Sequence, residues 1–159
     1  MTDLDIRKLI TDHPDREDIP VSCIRAVCLV ESSNNEWAYR FEPQYKYLVG
    51  NKLTMTATER NGQMVSWGLM QVMGGVAREH GFTAWLPELC RPQLGLKYGI
   101  MHLRTYYHKY GFWPDAIASY NAGAPRKGGD DMYYNQEYVN KVMAAWAKFD
   151  RDEAISKQV

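Results

Sequence analysis

Glu31 is the residue whose position most directly suggests chemistry. Ile24, Val27, Cys28 and Glu31 fall at i, i+3, i+4 and i+7, so in a helix over residues 21–32 they share one face and the carboxyl group lies on an apolar stripe. A carboxyl desolvated in that way has its pKa pushed upward, stays protonated near neutral pH and can act as a general acid. Cleavage of a glycosidic bond needs such an acid, because the sugar oxygen leaves poorly until it is protonated. The same spacing also accommodates a glutamate near a helix end that turns outward to water.

Three further segments bear on that choice. Glu31-Ser32 is followed by Ser66-Trp67-Gly68-Leu69-Met70-Gln71, then by Ala118-Ser119-Tyr120-Asn121-Ala122-Gly123, and later by Glu137-Tyr138-Val139. In that order, and with residues 91–103 similar to the central helix, the set resembles the soluble lytic transglycosylases, the goose-lysozyme-like branch of the lysozyme superfamily. The resemblance spans about residues 20–146. It implies a mostly α (α+β), lysozyme-like fold with a helical lobe, a small β region and a cleft between them centred on Glu31. It also implies that this glutamate protonates the oxygen between N-acetylmuramic acid and N-acetylglucosamine, then takes the proton of the muramoyl 6-hydroxyl as that oxygen closes on C1. A 1,6-anhydro sugar results and no water is consumed.

By the same resemblance Gln71, expected at the start of a helix, hydrogen-bonds the acetamido or hydroxyl groups of the sugar. Met70 either lines a sugar subsite or packs in the core. Tyr120 brings its hydroxyl to the Glu31 carboxyl and the substrate, Asn121 holds the loop or the cleft wall, and Tyr138 bonds Glu31 or the sugar or else packs. Ser66 joins the substrate-binding set, whereas Ser32 holds local backbone. One departure stands out: after Glu-Ser this chain has Asn35-Glu36 and then Tyr39-Arg40-Phe41-Glu42-Pro43, where many members carry Asn-Pro and a later serine. The polar group at the neighbouring subsite is therefore left open.

A hydrolytic muramidase on the same fold is the nearest alternative. It needs a second carboxylate to activate water, for which Glu36, Glu42 and Glu59 lie in the segment expected to face Glu31. A virion component that grips peptidoglycan without cutting it is the reading from another class. Such a binder has no use for a desolvated acid.

The elements that would position these residues are mainly helical. A short N-terminal helix leads through His13-Pro14 to a helix that starts around Pro20 and runs to about Ser32. Residues 40–65, with Pro43, Gly50 and Asn61-Gly62, read as loops and a small β region, the Asn-Gly pair being a hairpin signal. A helical run over residues 68–80 follows, with Gly74-Gly75 as a break and Gly81 as its C-cap. Residues 93–110 carry the stripe Leu96, Ile100, Leu103 and Tyr107, while Gly95 and Gly99 would let another helix come close. After Pro114 a short helix reaches about Tyr120, residues 122–131 form a loop, and the last helix places Val139, Val142, Met143 and Trp146 at core spacing.

Composition narrows the classes. A chain of 159 residues, 45% hydrophobic, suits one catalytic domain over residues 1–159. Its 19 basic and 19 acidic side chains cancel, which argues against nucleic acid as a partner. No apolar run is long enough to insert into a membrane and no signal peptide is visible. Cys23 and Cys28 have poor spacing for a disulfide and Cys90 is alone, so reduced thiols are expected. His13, His80, His102 and His108 show no i, i+4 ligand pair, and no metal or cofactor is expected. The resulting expectation is a monomer made in the cytoplasm that acts on cell-wall glycan strands in the periplasm, in phage lysis or as part of a virion.

Overall fold

The computed structural model describes residues 1–156. In chain order it contains α1 (Asp3–Thr11), a 3-10 turn (Pro14–Arg16), α2 (Val21–Ser32), β1 (Tyr39–Phe41), α3 (Ala57–Gln63), β2 (Val65–Trp67), β3 (Val72–Met73) and α4 (Gly74–Glu79). A second 3-10 segment (Leu86–Cys90), α5 (Pro92–Tyr110), α6 (Trp113–Ala122) and α7 (Gln136–Ser156) complete it. The helices and the small antiparallel sheet, ordered β1-β2-β3, give the mostly α, lysozyme-like fold that was expected.

Helix α2 is the element on which the rest is built. Pro20 stands immediately ahead of it with extended backbone, and Ser22 through Cys28 are all buried, because α2 is packed by α1 and α7. The cost of so much burial is offset by apolar contact: Ile24 and Val27 are fully buried, each contributing about 2 kcal/mol. Arg25 is the charged exception. Its guanidinium pairs with Asp3 at 2.5 Å and with Glu153 at 2.7 Å, and lies 4.0 Å over the Phe149 ring. That arrangement ties α1 and the far end of α7 to the helix that carries Glu31. The helix stops where Ser33 turns left-handed (φ 52°) and its amide closes on Leu29 and Cys28 carbonyls.

Two expectations are corrected in the β region. Asn61-Gly62 does not turn a hairpin but lies inside α3, which Thr56 caps through the Glu59 amide. Gly62 is there for close approach: a β-carbon on it would meet Leu86 Cδ1 at 2.8 Å, and one on Gly74 would meet the Gly62 carbonyl at 2.3 Å. The part of the 68–80 run before the Gly74-Gly75 break is likewise not helical. Gly68 to Gln71 form the turn between β2 and β3, and Gly74-Gly75 open the short α4.

Gly95 and Gly99 do admit close neighbours, a 3-10 helix at the first and a turn at the second. Added β-carbons would strike the Leu89 carbonyl and the Met70 side chain respectively, so α5 is pressed against the 3-10 segment and the β2–β3 turn. Gly68 is the tightest point of that contact, with φ +70° and the Leu89 carbonyl 2.4 Å from where a β-carbon would sit. Gly68→Ala is expected to lower stability by about 3 kcal/mol, the sum of left-handed strain and a displaced backbone. Urea unfolding measures this, and a loss under about 1 kcal/mol would mean that the turn has room to yield.

Candidate active site

Glu31 sits in the last turn of α2 and lines a cleft of about 580 Å³. The sheet supplies one wall through Arg40, Ser66 and Met73, and α5 and α6 supply the other through His102, Tyr106, Tyr120 and Asn121. From α7, Tyr138 donates its hydroxyl proton to Glu31 Oε1 at 2.6 Å. Burial pushes the Glu31 pKa up to about 7, against the smaller opposing pulls of the Tyr138 hydrogen bond and the Arg40 charge. Desolvation therefore outweighs both, and the group is poised to hold a proton near neutral pH and to take it back.

The Gly-Leu-Met-Gln turn is held against α2 by Ser32, whose Oγ lies 2.8 Å from the Leu69 carbonyl and 3.1 Å from that of Cys28. This is the local backbone role expected of it. Gln71 does line the cleft, but in a left-handed turn (φ +48°) rather than at a helix start. Its Nε2 donates to the Ala38 and Gly68 carbonyls at 3.0 and 2.9 Å, and its Oε1 accepts from Ser66 Oγ at 3.0 Å. The amide thus fastens the end of β1 to the turn, and only one acceptor site on Oε1 is left to face the cleft.

Met70 takes the second of its two expected places, and Tyr120 departs from the contact expected of it. Met70 is fully buried among core residues and presents no side chain to the cleft. Its carbonyl is what matters, since it accepts the Tyr120 hydroxyl proton at 2.7 Å. The Tyr120 hydroxyl proton therefore goes to backbone and not to Glu31, while its ring remains on the cleft wall against His102. Tyr138 is the residue that touches the acid. Asn121 also lies on the wall, with its Oδ1 accepting from Asn135 Nδ2, which donates to the Ala118 carbonyl as well.

Of the three carboxylates considered as partners, Glu42 alone lines the cleft, and it is paired with Arg40 at 2.5 Å. Glu36 meets the amino group of Met1 at 2.8 Å. Glu59 is clasped by Arg78 at 2.8 Å and by Gln63, which holds its pKa below the usual carboxylate range. Sequence reasoning had not singled out the far end of the cleft. There His102 and Tyr106 line the wall, in an α5 series of every fourth residue that continues to Tyr110, and His80 Nε2 comes within 3.4 Å of His102 Nδ1. The i, i+4 aromatic series was the available signal; the His80 contact had none. Burial lowers the His102 pKa to about 4, so this ring is neutral.

Among the described residues no three His, Cys, Asp or Glu side chains group as metal ligands, no helix is long and apolar enough to cross a membrane, and Cys23, Cys28 and Cys90 are buried free thiols. The deciding comparison is with family models, where the transglycosylase SLT domain matches residues 8–141. The chain belongs to that family. Searches of curated proteins and of solved structures return no match. The SLT match covers every cleft residue named above and also Tyr138. Peptidoglycan lytic transglycosylase activity, with peptidoglycan as substrate, is what membership in this family carries.

Proposed function

We propose that this SLT domain cleaves the β-1,4 bond between N-acetylmuramic acid and N-acetylglucosamine with Glu31 as acid and then base. In the first step the Glu31 proton passes to the leaving oxygen as the C1–O bond breaks. The carboxylate so formed then accepts the proton of the muramoyl 6-hydroxyl while that oxygen bonds to C1. The acid is regenerated, a 1,6-anhydromuramic end forms, and water takes no part.

The observation that carries this reading is the pairing of a cleft-lining, desolvated Glu31 with the Tyr138 hydroxyl. A single group that must give and then receive a proton works best with a pKa near the working pH. A hydrolytic reading keeps one observation in its favour, the presence of Glu42 on the cleft wall. Its carboxylate is already engaged by the Arg40 guanidinium. Mass spectrometry of digested peptidoglycan separates the two: anhydro ends are expected to dominate, and reducing ends, heavier by one water, would instead assign a muramidase with Glu42 as the first residue to mutate. On this reading the chain acts as a monomer on cell-wall glycan, in a phage-type lytic setting.

A further inference from the structure

The sheet that lines the cleft has a second face and a free edge, and both are unusually dressed. Arg40 and Ser66 point to the cleft, so the alternation of the strand sends Tyr39 and Phe41 to the opposite side. Tyr39 is 72% exposed, Phe41 49%, and Trp37 just ahead of β1 is 68% exposed. None of the three lines the cleft. Three large aromatic side chains within five residues are left in water although the helical lobe has apolar core to receive such groups. Tyr39 is not loose, for its ring lies 6.2 Å from that of Trp67 on the paired strand, tilted by 30°.

The backbone supplies an independent second observation. β1 is an edge strand, and no strand pairs with its outer side among the described residues. The amide of Glu42 donates to the Met64 carbonyl and that of Gly68 to the Ala38 carbonyl. In an antiparallel ladder these bonds alternate, so the peptide groups of Tyr39 and Phe41 point outward and are unpaired. Native proteins generally blunt such an edge or cover it.

We infer that the outer edge of β1, with Trp37, Tyr39 and Phe41, is a surface site for an N-acetylated glycan strand beyond the catalytic cleft. This rests on the functional reading above. Aromatic faces stack on the apolar faces of sugar rings, and the free N–H and C=O groups match the acetamido groups that every sugar of such a strand carries. Arg40 joins the two places, since the residue between Tyr39 and Phe41 in sequence faces the cleft. A polymeric substrate is longer than the cleft, so a hold on it at the sheet edge would keep the enzyme on insoluble wall between cuts.

The test compares wild type with Trp37→Ser/Tyr39→Ser/Phe41→Ser, using purified insoluble peptidoglycan and a soluble peptidoglycan oligosaccharide of two disaccharide repeats. With Glu31→Gln in both backgrounds to prevent cutting, retention on insoluble peptidoglycan is expected to weaken about tenfold. With Glu31 intact, turnover of the soluble oligosaccharide is expected to stay unchanged while wall clearing slows. Because all three side chains are exposed, thermal unfolding should match wild type; if it does not, the single variant Tyr39→Ser, with a smaller loss of retention expected, takes its place. Unchanged retention overturns the site. So does a loss confined to phosphatidylglycerol vesicles, which would assign the strip to a lipid surface. A wild type that cuts neither substrate overturns the functional reading itself, a result distinct from an active enzyme whose variant binds wall normally.

Discussion

Glu31→Gln is expected to abolish clearing of cell walls, by at least a thousandfold, and to leave the fold intact. The amide is nearly isosteric and keeps a partner for the Tyr138 hydroxyl, but it cannot give up or take back a proton. Stability should move the other way, and the sign follows from burial. Because the folded pKa of about 7 lies above the ordinary glutamate value of 4.5, the folded chain holds a proton that the unfolded chain releases between those values. Stability therefore falls as pH rises through that window, by at most about 3 kcal/mol for the whole shift. Glutamine removes that penalty, so the variant should be the more stable protein at pH 8 and nearly equal to wild type at pH 4. Turbidity assays and urea unfolding at the two pH values measure both effects. A folded variant that clears walls at close to the wild-type rate would remove Glu31 from the mechanism.

The sequence made α2 and its Glu31 face legible because a buried helix writes its contacts at fixed spacing, and Ile24, Val27 and Cys28 are indeed buried beside it. Glycine was less readable. The same residue type signals a turn or a close approach, and at Gly62 only the positions of Leu86 and Gly74, remote in sequence, decide for the second. The run from Gly68 to Met73 looked helical because its apolar residues do not alternate cleanly. What fixes it as a turn is the left-handed backbone at Gly68 and Gln71, which the Gln71 amide secures through Ala38 and Ser66. Roles within the site were harder still. Two tyrosines were plausible partners for the acid, and which hydroxyl arrives is set by how α7 packs on α2 and α6 on α5 and α7, not by any local pattern. His80 and His102 meet across 22 residues for the same reason.

That distinction between the tyrosines has a measurable consequence, which is why Tyr138→Phe is expected to reduce kcat by about tenfold to a hundredfold. The Tyr138 hydroxyl is 2.6 Å from Glu31 Oε1 and lowers its pKa against the effect of burial. It stabilises the carboxylate that exists after the first proton transfer, so it acts more strongly on the way to reaction than in the ground state. Removing it should therefore leave KM for a soluble glycan nearly unchanged. It should also raise the Glu31 pKa beyond about 7, moving the basic limb of the pH profile, where the acid form is lost, to higher pH. A residue that merely packed would not shift that limb. Tyr120→Phe is the built-in contrast, because its hydroxyl serves the Met70 carbonyl. Leaving that buried acceptor unpaired should lower stability by about 1–2 kcal/mol, with a smaller effect on kcat and no displacement of the pH profile. Steady-state kinetics from pH 5 to about 9 on one defined oligosaccharide, with unfolding measured alongside, compares both variants over the range where Glu31 titrates. Should Tyr120→Phe shift the basic limb and Tyr138→Phe leave it in place, the contact that orients the acid in the working enzyme would be the one through α6 rather than α7.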